Sequence, residues 1–318
     1  MQRVRRWCQG FRFEIGTRGV VPCLLLLTAA CSQDDERPPR IGTLYGDGDP
    51  EPPALTCSVT AAGGSCSPPQ LLIVLDRSTS MVTFPDGTFT TSPEEALVES
   101  KWRHAIDAID HVTRSSASQR VAFGLELFPR DPGDQNACVA LEQVVTTAPR
   151  SALKCREGAL LVPPCIDTGE AIAEALDINE TTLCGITPMG AALDTARDTL
   201  TAMYDPPREQ YVLFVTDGYD SCADERPVVE AADDLWAAGV GIFVVGFAGI
   251  NIDPWELSDL ACAGHTADDF EAQCVEDEPG RARYGGSGDL PFLFAEDGPA
   301  LEAALLEITA RIECPEIR

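Results

Sequence analysis

The sequence predicts a doubly wound α/β domain, in which helices cover both faces of a mostly parallel sheet. Leu71 to Leu75 form an apolar run without a polar break, which is typical of a strand buried on both faces. Two later apolar strands, Tyr211 to Val215 and Val240 to Gly246, are separated by a helical stretch. An interval of about thirty residues from strand to strand, with a helix between, is typical of a right-handed βαβ unit.

Residues 1–30 have the composition of a bacterial export signal. Five arginines precede the apolar stretch Val20 to Ala30, which is too short to span a bilayer as a mature helix. The stretch ends in Leu-Thr-Ala-Ala before Cys31, which resembles the lipobox of a bacterial lipoprotein, whose cysteine is lipidated and becomes the mature N-terminus. Ordinary signal cleavage after Ala30 is the alternative. Ser32, the residue after Cys31, favours anchoring of the lipoprotein in the outer rather than the inner membrane. The anchored domain would then face either the periplasm or the outside of the cell.

The chain is strongly acidic, with 51 acidic and 23 basic residues. Loss of residues 1–30 removes five arginines and one glutamate, which leaves 50 acidic and 18 basic residues and a net charge of −32. Such a surface repels nucleic-acid phosphates and anionic lipid headgroups, so we expect no nucleic-acid partner and membrane contact only through the lipid anchor. The segment 31–56 is rich in proline, glycine and acidic residues, a composition that predicts a disordered tether. The domain that it carries is expected to span 57–318.

The predicted elements follow the opening strand in order. Ser92-Pro93-Glu94-Glu95 is a capping box, and the helix it opens carries an apolar stripe at Trp102, Ile106, Ile109 and Val112. Residues 129–184, with four cysteines, predict a loop-rich elaboration that includes a helical stretch near 167–176. Besides the two strands above, we expect strands at Arg120 to Phe128 and Pro291 to Ala295, and helices at Gly190 to Met203, Arg226 to Ala238, after Asp253, and Pro299 to Ile312.

Oxygen-bearing side chains follow several of these elements. Asp76, Ser78 and Ser80 form a D-x-S-x-S pattern directly after the first strand. Thr187 precedes a proline at a helix start, which is also the pattern of an ordinary N-cap. Asp217 ends another buried strand before a glycine, which is also a common turn position. The carboxyl edge of an open α/β sheet binds ligands, so these residues are candidates for a hard-oxygen metal site.

In this order, the five residues resemble the metal-ion-dependent adhesion site (MIDAS) of the von Willebrand factor A-type (vWA) domain, a Rossmann-like fold. The resemblance extends from about Leu71 to Ile312. It implies that the two serines and the threonine meet a divalent metal directly, while the aspartates act mostly through bound water. It also implies an open coordination position for an outside oxygen, typically a Glu or Asp carboxylate of a protein partner. The expected metal is Mg²⁺ or Mn²⁺, with Ca²⁺ for a looser shell.

Ten cysteines remain after Cys31, and an even number in an exported chain predicts disulfides. Zinc is disfavoured because the sequence has no C-x-x-C pair and only three histidines. Cys184 and Cys222 border the candidate site, so we expect them to pair if their loops meet at the sheet edge. Short separation favours two further pairs, Cys57 with Cys66 and Cys262 with Cys274.

The expected function is that of an envelope-anchored lipoprotein whose vWA domain binds a divalent metal and captures a protein partner, as in cell adhesion. A structural envelope protein, in which the metal mainly stabilises the fold, is the alternative. A metal-dependent enzyme is disfavoured, because the sequence lacks a G-x-S-x-G elbow, an H-E-x-x-H motif and a phosphate-binding G-x-x-x-x-G-K-[ST] loop. The oligomeric state stays open.

Overall fold

The structure is a computed structural model, and it describes residues 67–133, 137–146, 155–204, 208–247, 252–286 and 288–312. The predicted signal segment, Cys31, the tether and the pair Cys57–Cys66 lie outside the described residues. Within the described ranges, no helix has both the length and the apolar character needed to cross a membrane.

Ten strands and nine helices are described in these ranges. In chain order the strands are β1 (Gln70–Asp76), β2 (Ala122–Phe128), β3 (Cys138–Ala140), β4 (Ala159–Cys165), β5 (Thr182–Cys184), β6 (Gln210–Thr216), β7 (Val240–Phe247), β8 (Cys274–Glu278), β9 (Arg281–Tyr284) and β10 (Leu293–Ala295). The helices are α1 (Pro93–Glu99), α2 (Lys101–Thr113), α3 (Leu141–Thr146), α4 (Gly169–Ala175), α5 (Met189–Ala202), α6 (Val228–Ala237), α7 (Pro254–Ala263), α8 (Phe270–Gln273) and α9 (Gly298–Ile312).

The central sheet has six strands in the order β10-β7-β6-β1-β2-β4. Its strands pair in parallel except β4, which runs antiparallel to β2. All seven residues of β1 are buried, as its unbroken apolar run predicts for a strand with neighbours on both sides and layers above and below. The doubly wound, mostly parallel class predicted from the sequence is confirmed.

Successive β1 side chains point to opposite faces of the sheet and enter separate cores. Leu71, Ile73 and Leu75 belong to a core that includes residues of α2 and α9. Leu72 and Val74 belong to a second core, which includes residues of α5, α6 and α7. Both faces of the sheet are therefore covered by helices.

The predicted helix after Ser92 is two helices. Ser100 has extended dihedrals (φ −69°, ψ 154°), ends α1 and caps α2, where its hydroxyl accepts a hydrogen bond from the Arg103 backbone N–H at 3.2 Å. The predicted apolar stripe is buried and lies wholly on α2. The break makes Lys101 the first residue of α2.

The region 129–184, which the sequence predicts to be a loop-rich elaboration, contributes a strand to the central sheet. β4 lies at the edge of the central sheet, so part of this region belongs to the core. Two prolines, Pro163 and Pro164, obscure β4 in the sequence, and an edge strand tolerates them because one side needs no hydrogen-bonding partner. The helical stretch expected near 167–176 is present as α4.

The predicted pair Cys184–Cys222 is wrong. Cys184 bonds Cys138, and the two are register partners in the small antiparallel β3–β5 sheet. Cys222 bonds Cys155, with 5.7 Å between their Cα atoms. Each candidate site loop is therefore tied to the segment from 138 to 155, rather than to the other loop. The pair Cys262–Cys274, expected from short separation, is confirmed.

Candidate metal centre

The five predicted site residues come together at the carboxyl edge of the central sheet. β1 and β6 are neighbours, and Leu75 is the register partner of Val215, so the ends of these strands lie side by side. The Thr187 loop joins them through Cys184, whose backbone N–H donates to the Arg77 carbonyl at 2.9 Å and whose backbone bridges Ser78. Three separate loops thus meet at one place.

Asp76 fixes the shape of the first loop. Its side chain is fully buried, and Oδ1 accepts a hydrogen bond from the Ser78 backbone N–H at 2.7 Å. Oδ2 accepts a hydrogen bond from the Thr216 hydroxyl, also at 2.7 Å. Since both carboxylate oxygens are occupied by protein donors, Asp76 holds the D-x-S-x-S loop against the end of β6.

The two serine hydroxyls of this loop lie next to each other. Ser78 Oγ and Ser80 Oγ are 2.7 Å apart, and Ser80 Oγ donates to Asp217 Oδ1 at 2.6 Å. Adjacent ligands of an octahedral Mg²⁺ shell lie about 3.0 Å apart, as metal–oxygen distances near 2.1 Å require. The hydroxyl pair therefore fits two neighbouring positions of such a shell with little movement.

Thr187 adds a third hydroxyl from a different loop. It lines a cavity of about 170 Å³ together with Ser78, Ser80 and Tyr219. Its backbone is held by Ser221, because the Thr187 N–H donates to Ser221 Oγ at 2.8 Å and the Ser221 N–H donates to the Thr187 carbonyl at 3.0 Å. In the part of the chain that the structure describes, the Thr187 side chain makes no hydrogen bond, so its hydroxyl is available to a ligand in the cavity.

Lys101 is a charged residue of this centre that the sequence reasoning missed. Its Nζ donates to Asp217 Oδ2, and the two side chains are only 3% and 0% exposed. Lysines within helices are mostly exposed, so the sequence gives no reason to expect burial of this one. The break at Ser100 makes Lys101 the first residue of α2, where its side chain reaches Asp217. The extended dihedrals of Ser100 give no clear sequence signal, because serine is also common on helix surfaces.

Burial dominates the electrostatics of the two aspartates. Loss of water and the nearby charge of Asp217 raise the pKa of Asp76 to about 7. Burial also raises the pKa of Asp217, while the Lys101 ammonium and the Ser80 hydrogen bond oppose the rise. Asp217 is paired with the Lys101 ammonium and Asp76 has no cationic partner within the described part of the chain, so the two ionised carboxylates leave an excess of negative charge that favours the binding of a further cation.

The donor atoms of the centre favour one chemical class of metal ion. No group of three or more His, Cys, Asp or Glu side chains suited to a metal occurs in the described ranges. The centre instead offers three neutral hydroxyls and two carboxylates, all hard oxygen donors. Such donors suit Mg²⁺, Mn²⁺ or Ca²⁺ better than metals that prefer sulfur or imidazole.

The loops after Thr187 and Asp217 are packed tightly on each other. Asp220 Oδ1 accepts the Cys222 N–H at 2.9 Å and the Met189 N–H at 3.3 Å, so it joins the loop to the first turn of α5. Gly190 allows the first turn of α5 to lie against the Arg226 backbone, because a Cβ there would lie 2.0 Å from the Arg226 carbonyl oxygen. With the Cys155–Cys222 disulfide, these contacts leave the Asp217 loop little freedom to move.

No protein-family model matches the chain, and no curated protein shows significant sequence similarity to it. Among solved structures, it is similar to proximal thread matrix protein 1 from the mussel byssus, with 16% identity and a TM-score of 0.48 over 76% of this chain and 47% of that one. A form of that mussel protein described as having a zinc-occupied MIDAS motif gives 14% identity and a TM-score of 0.46 over 76% and 47% of the two chains. Manganese-loaded TRAP protein from Plasmodium vivax gives 16% and 0.43, over 75% of this chain and 72% of that one. The match thus spans about half of the mussel chain, and TM-scores below 0.5 say nothing about what this chain binds.

Proposed function

We propose that this chain is a vWA-type binding module that holds a divalent cation at its sheet edge and captures a protein partner through that cation. The observation that carries the proposal is the convergence of three loops around one cavity, which Ser78, Ser80 and Thr187 line while the Asp217 carboxylate accepts the hydroxyl of Ser80. The metal residues are Asp76, Ser78, Ser80, Thr187 and Asp217.

The residues divide into two roles. Ser78, Ser80 and Thr187 would hold the cation directly, and their neutral hydroxyls would leave most of its charge uncancelled. Asp76 and Asp217 would act mainly by fixing the serines and bound water, because protein donors already occupy their oxygens. A bound cation supplies an electrophilic position that is open to an oxygen from outside the chain.

Mg²⁺ or Mn²⁺ fits this donor set better than Ca²⁺. Three hydroxyls completed by water and one partner oxygen make an octahedral shell of the kind Mg²⁺ adopts, whereas Ca²⁺ prefers six to eight ligands and frequent bidentate carboxylates. We therefore infer that Mg²⁺ or Mn²⁺ is the resident metal.

The partner would present a carboxylate of Glu or Asp to the open position. Tyr219 is 57% exposed and lines the same cavity, so it offers an apolar and hydrogen-bonding surface beside the incoming side chain. The predicted export signal and the lipobox-like sequence before Cys31 support a place in the bacterial envelope, where a lipid anchor would hold the module and leave its binding edge accessible.

Calorimetric titration of the purified chain with Mg²⁺, Mn²⁺ and Ca²⁺ tests the metal centre. We expect Mg²⁺ and Mn²⁺ to bind, and Thr187→Ala and Asp217→Ala to abolish or strongly weaken binding. Thr201→Ala is the matched control, because Thr201 is an exposed threonine in the last turn of α5. Absence of metal binding by the wild-type chain would reject the proposal.

A second measurement separates a binding module from a protein whose metal only stabilises the fold. A binding module keeps at least one exchangeable water on bound Mn²⁺, which water-proton relaxation detects. A bound Mn²⁺ without exchangeable water, accompanied by a higher melting temperature, would instead support the structural alternative.

A further inference from the structure

Lys101 places a positive charge inside the candidate metal centre. Its ammonium contacts Asp217 Oδ2, while Asp217 Oδ1 accepts the hydroxyl of Ser80. The lysine is therefore separated by Asp217 alone from Ser80, one of the hydroxyls that would hold the metal, and it is fully buried whereas Ser80 is half-buried. Removal of an ammonium group from water costs free energy unless the group is paired, so the buried position of Lys101 needs a physical explanation.

The surrounding backbone holds Lys101 rigidly in this position. Its N–H donates to the Thr83 carbonyl at 2.9 Å, and the Thr83 hydroxyl in turn donates to the Ser80 carbonyl at 2.8 Å. The next residue, Trp102, is fully buried in the core. The start of α2 is thus attached to the D-x-S-x-S loop on one side and to the core on the other, and the buried ammonium extends from this fixed point to Asp217.

The charges nearest the centre do not cancel. Asp76, which feels the charge of Asp217, and Asp217 itself carry two negative charges when ionised, and the Lys101 ammonium on Asp217 carries one positive charge, which leaves a net charge of −1. Two other buried charged groups lie nearby: Arg77, whose Nε donates to the Pro129 carbonyl, and Asp220, which accepts the backbone N–H groups of Met189 and Cys222. They carry one charge of each sign and leave this sum unchanged. A divalent cation would change the charge of this set from −1 to +1.

We propose that Lys101 is a fixed counter-ion that weakens metal binding and makes the loaded centre prefer an anionic ligand. This inference rests on the proposed function. The ammonium neutralises Asp217 when no metal is bound and repels an incoming metal. With the metal in place, the surplus positive charge is cancelled by one carboxylate from the partner, whereas a neutral ligand leaves it uncancelled.

The two effects have opposite signs, which distinguishes this role from a merely structural one. Removal of the charge strengthens metal binding and weakens carboxylate binding to the loaded centre. A residue that only supports the loop would weaken both when it is replaced.

The test compares Lys101→Met, Lys101→Gln and Lys101→Arg with the wild-type chain. Arg103→Met is the control, since it removes an exposed cation from the same helix. Mn²⁺ affinity is measured by electron paramagnetic resonance of the unbound ion. Acetate binding to the Mn²⁺-loaded chain is measured by water-proton relaxation at constant ionic strength.

We expect Lys101→Met and Lys101→Gln to bind Mn²⁺ roughly tenfold more tightly or better, and the loaded forms to bind acetate at least roughly fivefold more weakly. Lys101→Arg and Arg103→Met should stay within about twofold of wild type for both ligands. Weaker or unchanged Mn²⁺ binding in the folded neutral variants would overturn the role of Lys101. If neither neutral variant folds, the side chain is primarily structural, and the proposal is likewise overturned. Absence of Mn²⁺ binding by the wild type would reject the metal centre itself.

Discussion

Asp76→Asn in the metal-free chain should change how stability depends on pH. Burial and the charge of Asp217 raise the pKa of Asp76 from 3.8 to about 7 in the folded chain. A carboxyl whose pKa is higher in the folded than in the unfolded state favours folding while it is protonated. That contribution is present at low pH and is lost as the pH rises from about 4 to about 7.

The size of the effect follows from the two pKa values. The displacement from 3.8 to about 7 corresponds to roughly 4 kcal/mol over the whole range, at about 1.4 kcal/mol for each pH unit. Between about pH 5 and about pH 8, the free energy of unfolding of the wild-type chain should fall by about 2–3 kcal/mol through this residue. Asparagine keeps the shape of the side chain and an acceptor for the Ser78 N–H but does not titrate.

Urea unfolding in the presence of a chelator, with disulfides intact, measures the difference between the two proteins. Asp76→Asn should become more stable relative to wild type by about 2–3 kcal/mol between about pH 5 and about pH 8. The comparison cancels the contributions of other groups with raised pKa values, such as Glu126 and Glu256. An equal difference at both pH values would refute the electrostatic account of the centre.

Two further substitutions test other features of the molecule. Glu126 is fully buried with its pKa raised well above the usual value, and neither carboxylate oxygen has a hydrogen-bond partner among the described residues. Glu126→Leu should therefore stabilise the chain by about 1–3 kcal/mol at neutral pH, with a smaller gain at about pH 5, in thermal unfolding. Replacement of the disulfide by Cys155→Ser with Cys222→Ser should release the Asp217 loop and weaken Mn²⁺ binding in the calorimeter, whereas the matched pair Cys262→Ser with Cys274→Ser should leave it unchanged. Equal losses in both double variants would mean that global stability, rather than loop position, controls the site.

The sequence predicts the central strands well because a strand that is buried on both faces is an unbroken or nearly unbroken run of apolar residues. β1, β6 and β7 lie between neighbours and under helices on both faces, so each is a short run of apolar residues. The residues that end β1 and β6 then have a fixed place, since parallel neighbours finish at the same edge. The strand pattern therefore places Asp76 and Asp217 at one edge of the sheet, whereas their proximity depends on β1 and β6 being neighbours, which the vWA resemblance implies and the structure has.

Other features depend on contacts that are distant in the sequence. The pairing of Cys138 with Cys184 follows from the β3–β5 sheet, whose strands have three residues each and no periodic signal. The break at Ser100 rests on a hydroxyl cap within a pattern that reads as one helix. The burial of Lys101 beside Asp217 depends in turn on this break, because the break sets the direction in which α2 begins.

The number of exchangeable water molecules on Mn²⁺ bound to the wild-type chain tests the central claim most directly. Water-proton relaxation should show Mn²⁺ bound with at least one exchangeable water, acetate should displace it, and Thr187→Ala should greatly reduce the bound Mn²⁺. A chain that binds no Mn²⁺, or whose bound Mn²⁺ has no exchangeable water, would contradict an open metal centre at this sheet edge.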